Sequence, residues 1–292
     1  MLKKILKIIG IVLGSLLLIG VLFYIKAYFS MEKRMHKVYN IQPEKIDIPT
    51  DTASLALGNR LATTKGCRGC HGEDLGGRVF IDDPMALGFF IAKNITKGKG
   101  GLPQDYSYDD WILALKHGVN RNKKSILVMP SYEFAQLTES DMGALIAYCA
   151  QVTPVDRELP ASKVGPLGRV LTDLGELPLL PAEMINHEAP LATAITPSLS
   201  VEYGKYLAVS CQGCHRENMK GGDPIAPGFP PVADITSTGN LGQWTAEQFM
   251  ATLRTGKTPE GKILDPEYMP WEAATAMTDL ELKALHLYLK SL

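Results

Sequence analysis

The pentapeptide Cys-x-x-Cys-His occurs twice in this 292-residue chain, at residues 67–71 and 211–215. Each copy stands in the same wider context, and the two contexts lie about 140 residues apart, far beyond the repeat length of a solenoid. The matched segments are 58–62 with 204–208, 76–77 with 221–222, 94–96 with 234–236, 106–118 with 244–256, 129–130 with 269–270, and 137–148 with 277–288. The chain is therefore predicted to fold as two copies of one domain.

The pentapeptide itself is the attachment motif of a c-type haem. Its two thiols add to the two vinyl groups of the porphyrin, and the adjacent His lies beneath the iron as proximal ligand. We therefore predict two covalently attached haem c groups. The residues concerned are Cys67, Cys70 and His71 for the first haem and Cys211, Cys214 and His215 for the second.

Cys-x-x-Cys pairs also occur in zinc sites, thioredoxin-like redox sites and structural disulfides. A four-cysteine zinc site would need the two pairs to converge across the long segment between Cys70 and Cys211. A thioredoxin motif would follow a strand of a parallel-sheet pattern, and the sequence has no such pattern. Haem attachment is the interpretation that also explains the two histidines.

The order of the matched segments is the same in both halves: a helix leading into the motif, a middle helix, a Met-Pro pair and a closing helix. This order resembles the class I cytochrome c fold and covers about 200 of the 292 residues. The resemblance implies a mainly α protein with two tandem class I cytochrome c domains. It also implies that Met129 and Met269 are the distal iron ligands, since a soft thioether raises the reduction potential. The following proline would stiffen each ligand loop.

Other methionines and histidines are poorer candidates for iron ligands. His117 and His286 have no histidine at the matching repeat position, so surface or capping roles are expected for them. The remaining methionines that could be considered are predicted to be core or surface side chains. They are Met85, Met142, Met219, Met250 and Met277.

The closing helices carry further expectations. Thr138 and Thr278 are predicted helix N-caps, each followed three residues later by an acidic residue. In the resembled family a glycine of the first helix admits an aromatic residue of the last, which implies the pairs Gly58 with Tyr148 and Gly204 with Tyr288. Cys149 matches Leu289 and is predicted to be a buried apolar residue, with an iron-ligand or redox role as the alternative.

An apolar run without charge, residues 8–25, is just long enough to span a bilayer. It follows Lys3, Lys4 and Lys7 and ends among interfacial aromatic residues. We interpret it as an uncleaved transmembrane anchor rather than a signal peptide, because no clear cleavage site follows. Haem c is attached outside the bacterial cytoplasmic membrane, so residues 1–7 are expected to be cytoplasmic and the rest periplasmic.

Composition and prolines complete the predicted organisation. Beyond Lys26 lie 26 basic and 31 acidic residues, a net charge of −5, and no basic stripe or motif for nucleic acid. Residues 153–197, between the repeats, contain seven prolines and are rich in leucine, so we expect an ordered strap with a short helix at 167–174, a flexible tether being the alternative. The predicted parts are a cytoplasmic tail (1–7), an anchor (8–25), a stalk (26–50), the first domain (51–153), the strap (154–196) and the second domain (197–292).

Two function classes remain open on the sequence. The first is electron transfer, because two His/Met irons have no open coordination site. Residues 94–96, 129–132 and 144–148 resemble the cytochrome subunits of membrane-bound alcohol and sugar dehydrogenases, which commonly carry three haems where this chain has two motifs. That resemblance implies a dehydrogenase or quinol donor and a downstream cytochrome or oxidase. The second class is a dihaem peroxidase or sulfur-compound dehydrogenase, which the Met-Pro pair in both repeats disfavours.

Overall fold

A computed structural model describes residues 2–225 and 228–292. Residue 1 of the predicted cytoplasmic tail and residues 226–227 of the predicted second domain lie outside the described residues. The described chain is mainly helical: a long N-terminal helix is followed by two helical domains and an ordered strap between them.

The N-terminal helix α1 (Leu2–Met35) extends well beyond the apolar run. By length and composition it is able to cross a membrane, and none of its most apolar window is buried against the rest of the protein. Its last turns differ, because Ala27 and Met31 are fully buried. The predicted stalk is thus helical as far as Met35, and Tyr39 and Ile41 beyond it are also buried.

The two domains repeat the same helices. The first contains α2 (Thr52–Thr64), α3 (Cys67–His71), α4 (Tyr108–Leu115), α5 (Ser131–Phe134) and α6 (Glu139–Cys149). The second contains α8 (Val201–Ala208), α9 (Gln212–His215), α10 (Ala246–Thr255) and α11 (Asp279–Lys290), with 3₁₀ turns at Val209–Cys211, Asn240–Gln243 and Trp271–Ala276. The first domain also has a hairpin, β1 (Arg78–Asp83) and β2 (Gly88–Ala92), that was not predicted from the sequence.

The closing helices begin at the predicted caps. The Thr138 hydroxyl accepts a hydrogen bond from the Asp141 N–H, and the Thr278 hydroxyl accepts one from the Glu281 N–H, both at 3.2 Å. In α11 the Glu281 carboxylate also accepts from the Thr278 N–H, which completes a capping box. These bonds satisfy N–H groups that have no partner within the helix.

Each first helix crosses its closing helix at a glycine. A Cβ at Gly58 would clash with the Ala144 carbonyl oxygen and would lie 2.7 Å from the Tyr148 Cβ. A Cβ at the equivalent Gly204 would clash with the Ala284 carbonyl oxygen and would lie 2.7 Å from the Tyr288 Cβ. Both glycine–aromatic pairs implied by the family resemblance are therefore present. Any larger residue at either glycine would force the two helices apart.

The strap between the domains is ordered and packed. It contributes the short strand β3 (Lys163–Val164), which joins β1 and β2 in an antiparallel sheet of order β1-β2-β3, and the helix α7 (Pro166–Leu174). A short 3₁₀ turn follows at Pro181–Glu183. Leu179 and Leu180 are buried in one apolar cluster with Met31 and Phe90, which ties the end of α1 to the first domain.

The two domains meet through an approximately symmetric contact. Arg60 on α2 donates to the Glu281 carboxylate at the start of α11, while Tyr206 on α8 donates its hydroxyl hydrogen to Asp141 at the start of α6. Positions 60 and 206 match in the repeat alignment, as do 141 and 281. The duplicated halves therefore use the same surface on each other, as the two halves of a twofold dimer do.

Candidate haem sites

A continuous cavity of about 1840 Å³ runs through both domains. Every residue predicted to bind haem or iron lies along its wall: Cys67, Cys70, His71, Met129, Cys211, Cys214, His215 and Met269. The structure thus brings each Cys-x-x-Cys-His motif and the methionine of its own repeat to the same space. Such a pairing of covalent anchors, imidazole and thioether is the donor set of a six-coordinate haem c.

Each motif histidine is oriented by a backbone carbonyl. The Nδ1–H group of His71 donates to the Lys93 carbonyl at 2.7 Å, and that of His215 donates to the Ala233 carbonyl at 2.9 Å. A carbonyl only accepts hydrogen bonds, so Nδ1 carries the proton and Nε2 keeps its lone pair for iron. Burial lowers the pKa of both histidines, which favours the neutral imidazole that a metal requires.

The loops that supply these carbonyls have the same construction. The Asn94 side-chain oxygen accepts hydrogen bonds from the N–H and hydroxyl of Thr96, at 2.9 and 2.8 Å. The Asp234 carboxylate does the same for Thr236, at 2.8 and 2.7 Å. The repeated (Asn/Asp)-Ile-Thr triplet therefore fixes the turn directly after the carbonyl that orients each histidine. The sequence shows the triplet, but its role becomes visible only once the histidine partner is known.

The methionine loops also match. Pro130 and Pro270 adopt nearly identical backbone conformations, with φ of −80° and −74° and ψ of 57° and 59°. A helical turn begins after each proline, as expected of a residue that stops the preceding chain from continuing as helix. Both methionines are partly buried against the apolar cluster of their own domain.

Of the other methionines considered above, only Met277 lines the cavity as well, where it packs against the apolar cluster of the second domain. Met142 and Met219 are fully buried, and Met85 is 87 % exposed, as predicted for core and surface side chains. The expectation that His117 is a surface or capping residue is wrong. His117 is completely buried, where its ring nitrogens contact Glu44 at 3.0 Å and His187 at 3.2 Å, because the stalk and the strap fold over it.

Cys149 is buried beside Cys67 in the core of the first domain. Burial raises the pKa of its thiol well above the ordinary value, which disfavours a free thiolate, and Cys149 also lines the cavity. This environment agrees with the predicted apolar role. None of the five cysteines, each within the described part of the chain, forms a disulfide.

A feature that could not be predicted from the sequence is the polar contact between the two attachment motifs. The Lys65 ammonium, two residues before Cys67, donates to the Ser210 hydroxyl, one residue before Cys211, at 3.1 Å. The Glu133 carboxylate of the first domain approaches Gly213 of the second motif and would lie 3.1 Å from a Cβ at that glycine. These residues meet only across the domain interface, so no local pattern indicates them.

The family model for cytochrome c matches this chain twice, over residues 55–153 and 201–292. The chain belongs to the cytochrome c family. Electron transfer is the function that follows from this membership, and the two matched regions coincide with the two domains that carry the attachment motifs.

Two relatives of this cytochrome c are cytochrome subunits of dehydrogenases. The chain is 25 % identical over 260 residues to the fructose dehydrogenase cytochrome subunit of Gluconobacter japonicus, covering 82 % of this chain and 52 % of the relative. It is 27 % identical over 280 residues to the gluconate 2-dehydrogenase cytochrome c subunit of Pantoea cypripedii, covering 84 % and 61 %. The chain thus spans about half to three fifths of the length of these relatives.

A shorter similarity connects the chain with a nicotinate dehydrogenase component of Pseudomonas putida. The two are 28 % identical over 117 residues, which cover 38 % of this chain and 10 % of that protein. This match extends over little more than the length of one haem domain.

Proposed function

We propose that this cytochrome c is a membrane-anchored dihaem electron carrier, with one haem c on Cys67 and Cys70 and a second on Cys211 and Cys214. The observation that carries the proposal is the continuous cavity, which both motifs and both Met-Pro loops line. Haem c, when bound, supplies an iron centre that takes up and releases one electron. The residues of the chain would hold this iron, determine its potential and place it near the second haem.

The chain would hold each iron from two sides with neutral ligands. His71 and His215 have the tautomer that leaves Nε2 free for iron, and Met129 and Met269 provide thioethers. A thioether is a soft donor that stabilises ferrous over ferric iron and so raises the reduction potential. With a histidine and a methionine to hold each iron, the haems would exchange electrons and bind no substrate, and no observation favours the peroxidase alternative.

The domain interface supports electron passage between the two haems. Lys65 and Ser210 join the segments directly before the two motifs, and Glu133 contacts the second motif from the first domain. The attachment sites therefore face each other across one interface, without an intervening layer of secondary structure. We propose that an electron enters one domain and leaves from the other through this contact.

The partners are proposed from the relatives and from charge. Since the relatives are cytochrome subunits of fructose and gluconate dehydrogenases, we propose a dehydrogenase or a quinol as donor and a downstream cytochrome or oxidase as acceptor. The part of the chain beyond Lys26 carries a net charge of −5 before the haem propionates. That charge would steer a partner with a basic docking patch.

For location, we propose that residues 8–25 of α1 cross the bacterial cytoplasmic membrane once. The helix is long and apolar enough, and its apolar side chains are exposed all round, which suits lipid rather than water. Residues 1–7 would then be cytoplasmic, and both haem domains would lie on the periplasmic side, where haem c is attached.

Intact mass and carbon monoxide binding test the proposal. The full chain, produced with a haem c maturation system, should have the mass of the polypeptide plus two haems. The variants Cys67→Ala/Cys70→Ala and Cys211→Ala/Cys214→Ala should each lose one. Reduced wild-type protein should not bind carbon monoxide, because neither iron has an open position. One haem per wild-type chain, or binding of carbon monoxide at stoichiometric amounts, would contradict the proposal.

A further inference from the structure

The strap helix α7 lies against α1 just where the apolar run of α1 ends. The Asp173 carboxylate accepts from the Lys26 ammonium at 2.6 Å, and Lys26 follows directly on the last residue of that run. Arg169, one turn earlier on α7, pairs with Glu32 at 2.8 Å and covers the Tyr28 ring at 4.4 Å from its centroid. α7 is therefore held within about two helical turns of the end of the predicted span.

The two faces of α7 have opposite character. Arg169, Thr172 and Asp173 face α1, and Thr172 and the Asp173 side chain are almost fully buried there. The opposite face is an apolar stripe at the helical spacing of three, four and seven residues. The stripe consists of Leu167, Val170, Leu171 and Leu174. Leu167 and Leu174 at its two ends are 44 % and 54 % exposed, and Val170 and Leu171 between them are half-buried.

The depth of α7 suits a membrane surface. From Lys26 to Glu32 the axis of α1 rises about 9 Å, which is comparable to the headgroup layer on one side of a bilayer. Tyr28 and Phe29, side chains of the kind that occupies this layer, lie at the same level, and Phe29 is 67 % exposed. The folded body begins there too, because Ala27 is fully buried and no free stalk raises the first domain above the bilayer.

We infer that the apolar stripe of α7 rests in the headgroup–acyl boundary of the same bilayer that α1 crosses. The occupant of this exposed face is lipid, because ion pairs hold α7 beside α1 at the end of its exposed apolar run. This inference rests on the proposed anchoring by α1. It makes α7 a second membrane contact, which holds the first domain at the surface and fixes the tilt of the protein.

Cysteine accessibility in the full-length, haem-loaded chain tests this contact. Three variants are placed in nanodiscs of phosphatidylethanolamine and phosphatidylglycerol, with one chain in each disc: Leu174→Cys, the control Leu287→Cys on α11, and Leu17→Cys in α1. Leu174 and Leu287 are exposed leucines on helices, and Leu17 is 70 % exposed on the anchor. The rate of reaction with a charged, water-soluble maleimide is measured, with the parent protein as the background for buried Cys149.

Lipid contact predicts that the thiol of Leu174→Cys reacts at least 10-fold more slowly than that of Leu287→Cys. A benzophenone attached at position 174 should then give lipid adducts on illumination. A slow reaction at 174 could not come from a protein partner, because each disc holds a single chain. Equal rates at 174 and 287 would show that water reaches both positions equally, and would overturn the inference. The anchor is tested separately: a fast reaction of Leu17→Cys would refute the proposed membrane span, whatever position 174 does.

Discussion

The two haem domains share one plan but differ in what covers them. The first domain is enclosed by the last turns of α1, the β1–β2 hairpin and the strap, whose Leu179 and Leu180 are buried in a common cluster with Met31. The second domain has no such cover within the described residues, and Ile263 and Tyr268 on the rim of its cavity are 68 % and 39 % exposed. Yet the histidine–carbonyl bonds are nearly the same in both, at 2.7 and 2.9 Å.

The comparison shows that repeated and unrepeated parts of the chain have different structural roles. The repeated residues build the haem sites, and the unrepeated segments attach one of the two domains to the anchor. The strap also reaches the first ligand loop, because the N–H of Val128, beside Met129, donates to the Leu179 carbonyl at 3.0 Å. Val128 has a φ of 68°, a left-handed conformation that a β-branched residue adopts only when its surroundings hold it. Among the backbone hydrogen bonds of the described residues, the second ligand loop has no equivalent from outside its domain, although the 3₁₀ turn that follows Met269 and Pro270 packs against α2 of the first domain.

The largest effect on this comparison is expected from the helix-crossing glycines. Gly204→Ala puts a methyl group against the Ala284 carbonyl and should cost about 3 kcal/mol of the stability of the second domain. Gly58→Ala makes the same clash in the first domain, but the strap and α1 should keep that domain folded. Hydrogen exchange on peptides of α8 and α11, or of α2 and α6, measures each effect.

The control for the glycines is Gly14→Ala in α1, since a Cβ at Gly14 would meet no atom within 4 Å. It should leave exchange in both domains unchanged. If Gly58→Ala loosened the first domain as much as Gly204→Ala loosens the second, the strap would add no stability to the first domain.

A smaller effect, confined to the first domain, is expected from truncating a buried side chain of the strap. Leu180→Ala removes a side chain that is 2 % exposed and should cost about 2 to 3 kcal/mol. Leu199→Ala, at a position 60 % exposed near the second domain, is the matched control and should change stability by less than about 0.5 kcal/mol. Denaturant unfolding followed by haem absorbance gives both values, and equal losses would refute the structural role of the strap.

The symmetric contact between the two domains should contribute less to the free energy of unfolding than the strap does, and its contribution should depend on pH. Burial acts to raise the pKa of Glu281, but hydrogen bonds from Arg60 and the Thr278 N–H outweigh it, and the pKa lies below the ordinary value. A lowered carboxyl pKa gives stability that is present above the unfolded-state pKa of about 4.3 and is lost as the pH falls through the folded-state value.

Arg60→Ala should therefore cost about 2 kcal/mol at pH 7, and less at pH 3. Tyr206→Phe, which removes the equivalent bond to Asp141, should cost about 1 kcal/mol. Chemical denaturation at the two pH values checks both variants. A cost of Arg60→Ala that is the same at pH 3 and pH 7 would show that its pairing with Glu281 is not the source.

The smallest expected effect concerns Glu133, which lies between the two attachment motifs. Burial raises its pKa to about 7, and the attraction of Lys65 offsets only part of that rise. A negative carboxylate disfavours the extra electron, so the haem potentials should fall as the pH rises through about 7. Glu133→Gln should flatten this slope, whereas the exposed control Glu139→Gln should not. Redox titrations between pH 6 and 8 decide, and a slope that survives Glu133→Gln would exclude this carboxylate as its source.

Much of the fold could be predicted because the duplication marks each essential residue twice. The caps Thr138 and Thr278 and the glycine–aromatic pairs depend on local spacing and on a repeated plan, so the sequence indicates them. The β1–β2 hairpin and the burial of His117 could not be predicted, for the opposite reason. They arise in unrepeated segments and from contacts between distant parts of the chain, such as that of His117 with Glu44 and His187.

The central claim is that each of the two irons has a histidine and a methionine ligand, and electron paramagnetic resonance tests this directly. Oxidised, haem-loaded full-length protein should give two low-spin signals. Met129→Ala should convert only the first haem to a high-spin signal and Met269→Ala only the second, with Met142→Leu as the control that changes neither. A high-spin signal in the unmodified protein, or a low-spin pair that survives both substitutions, would contradict the claim.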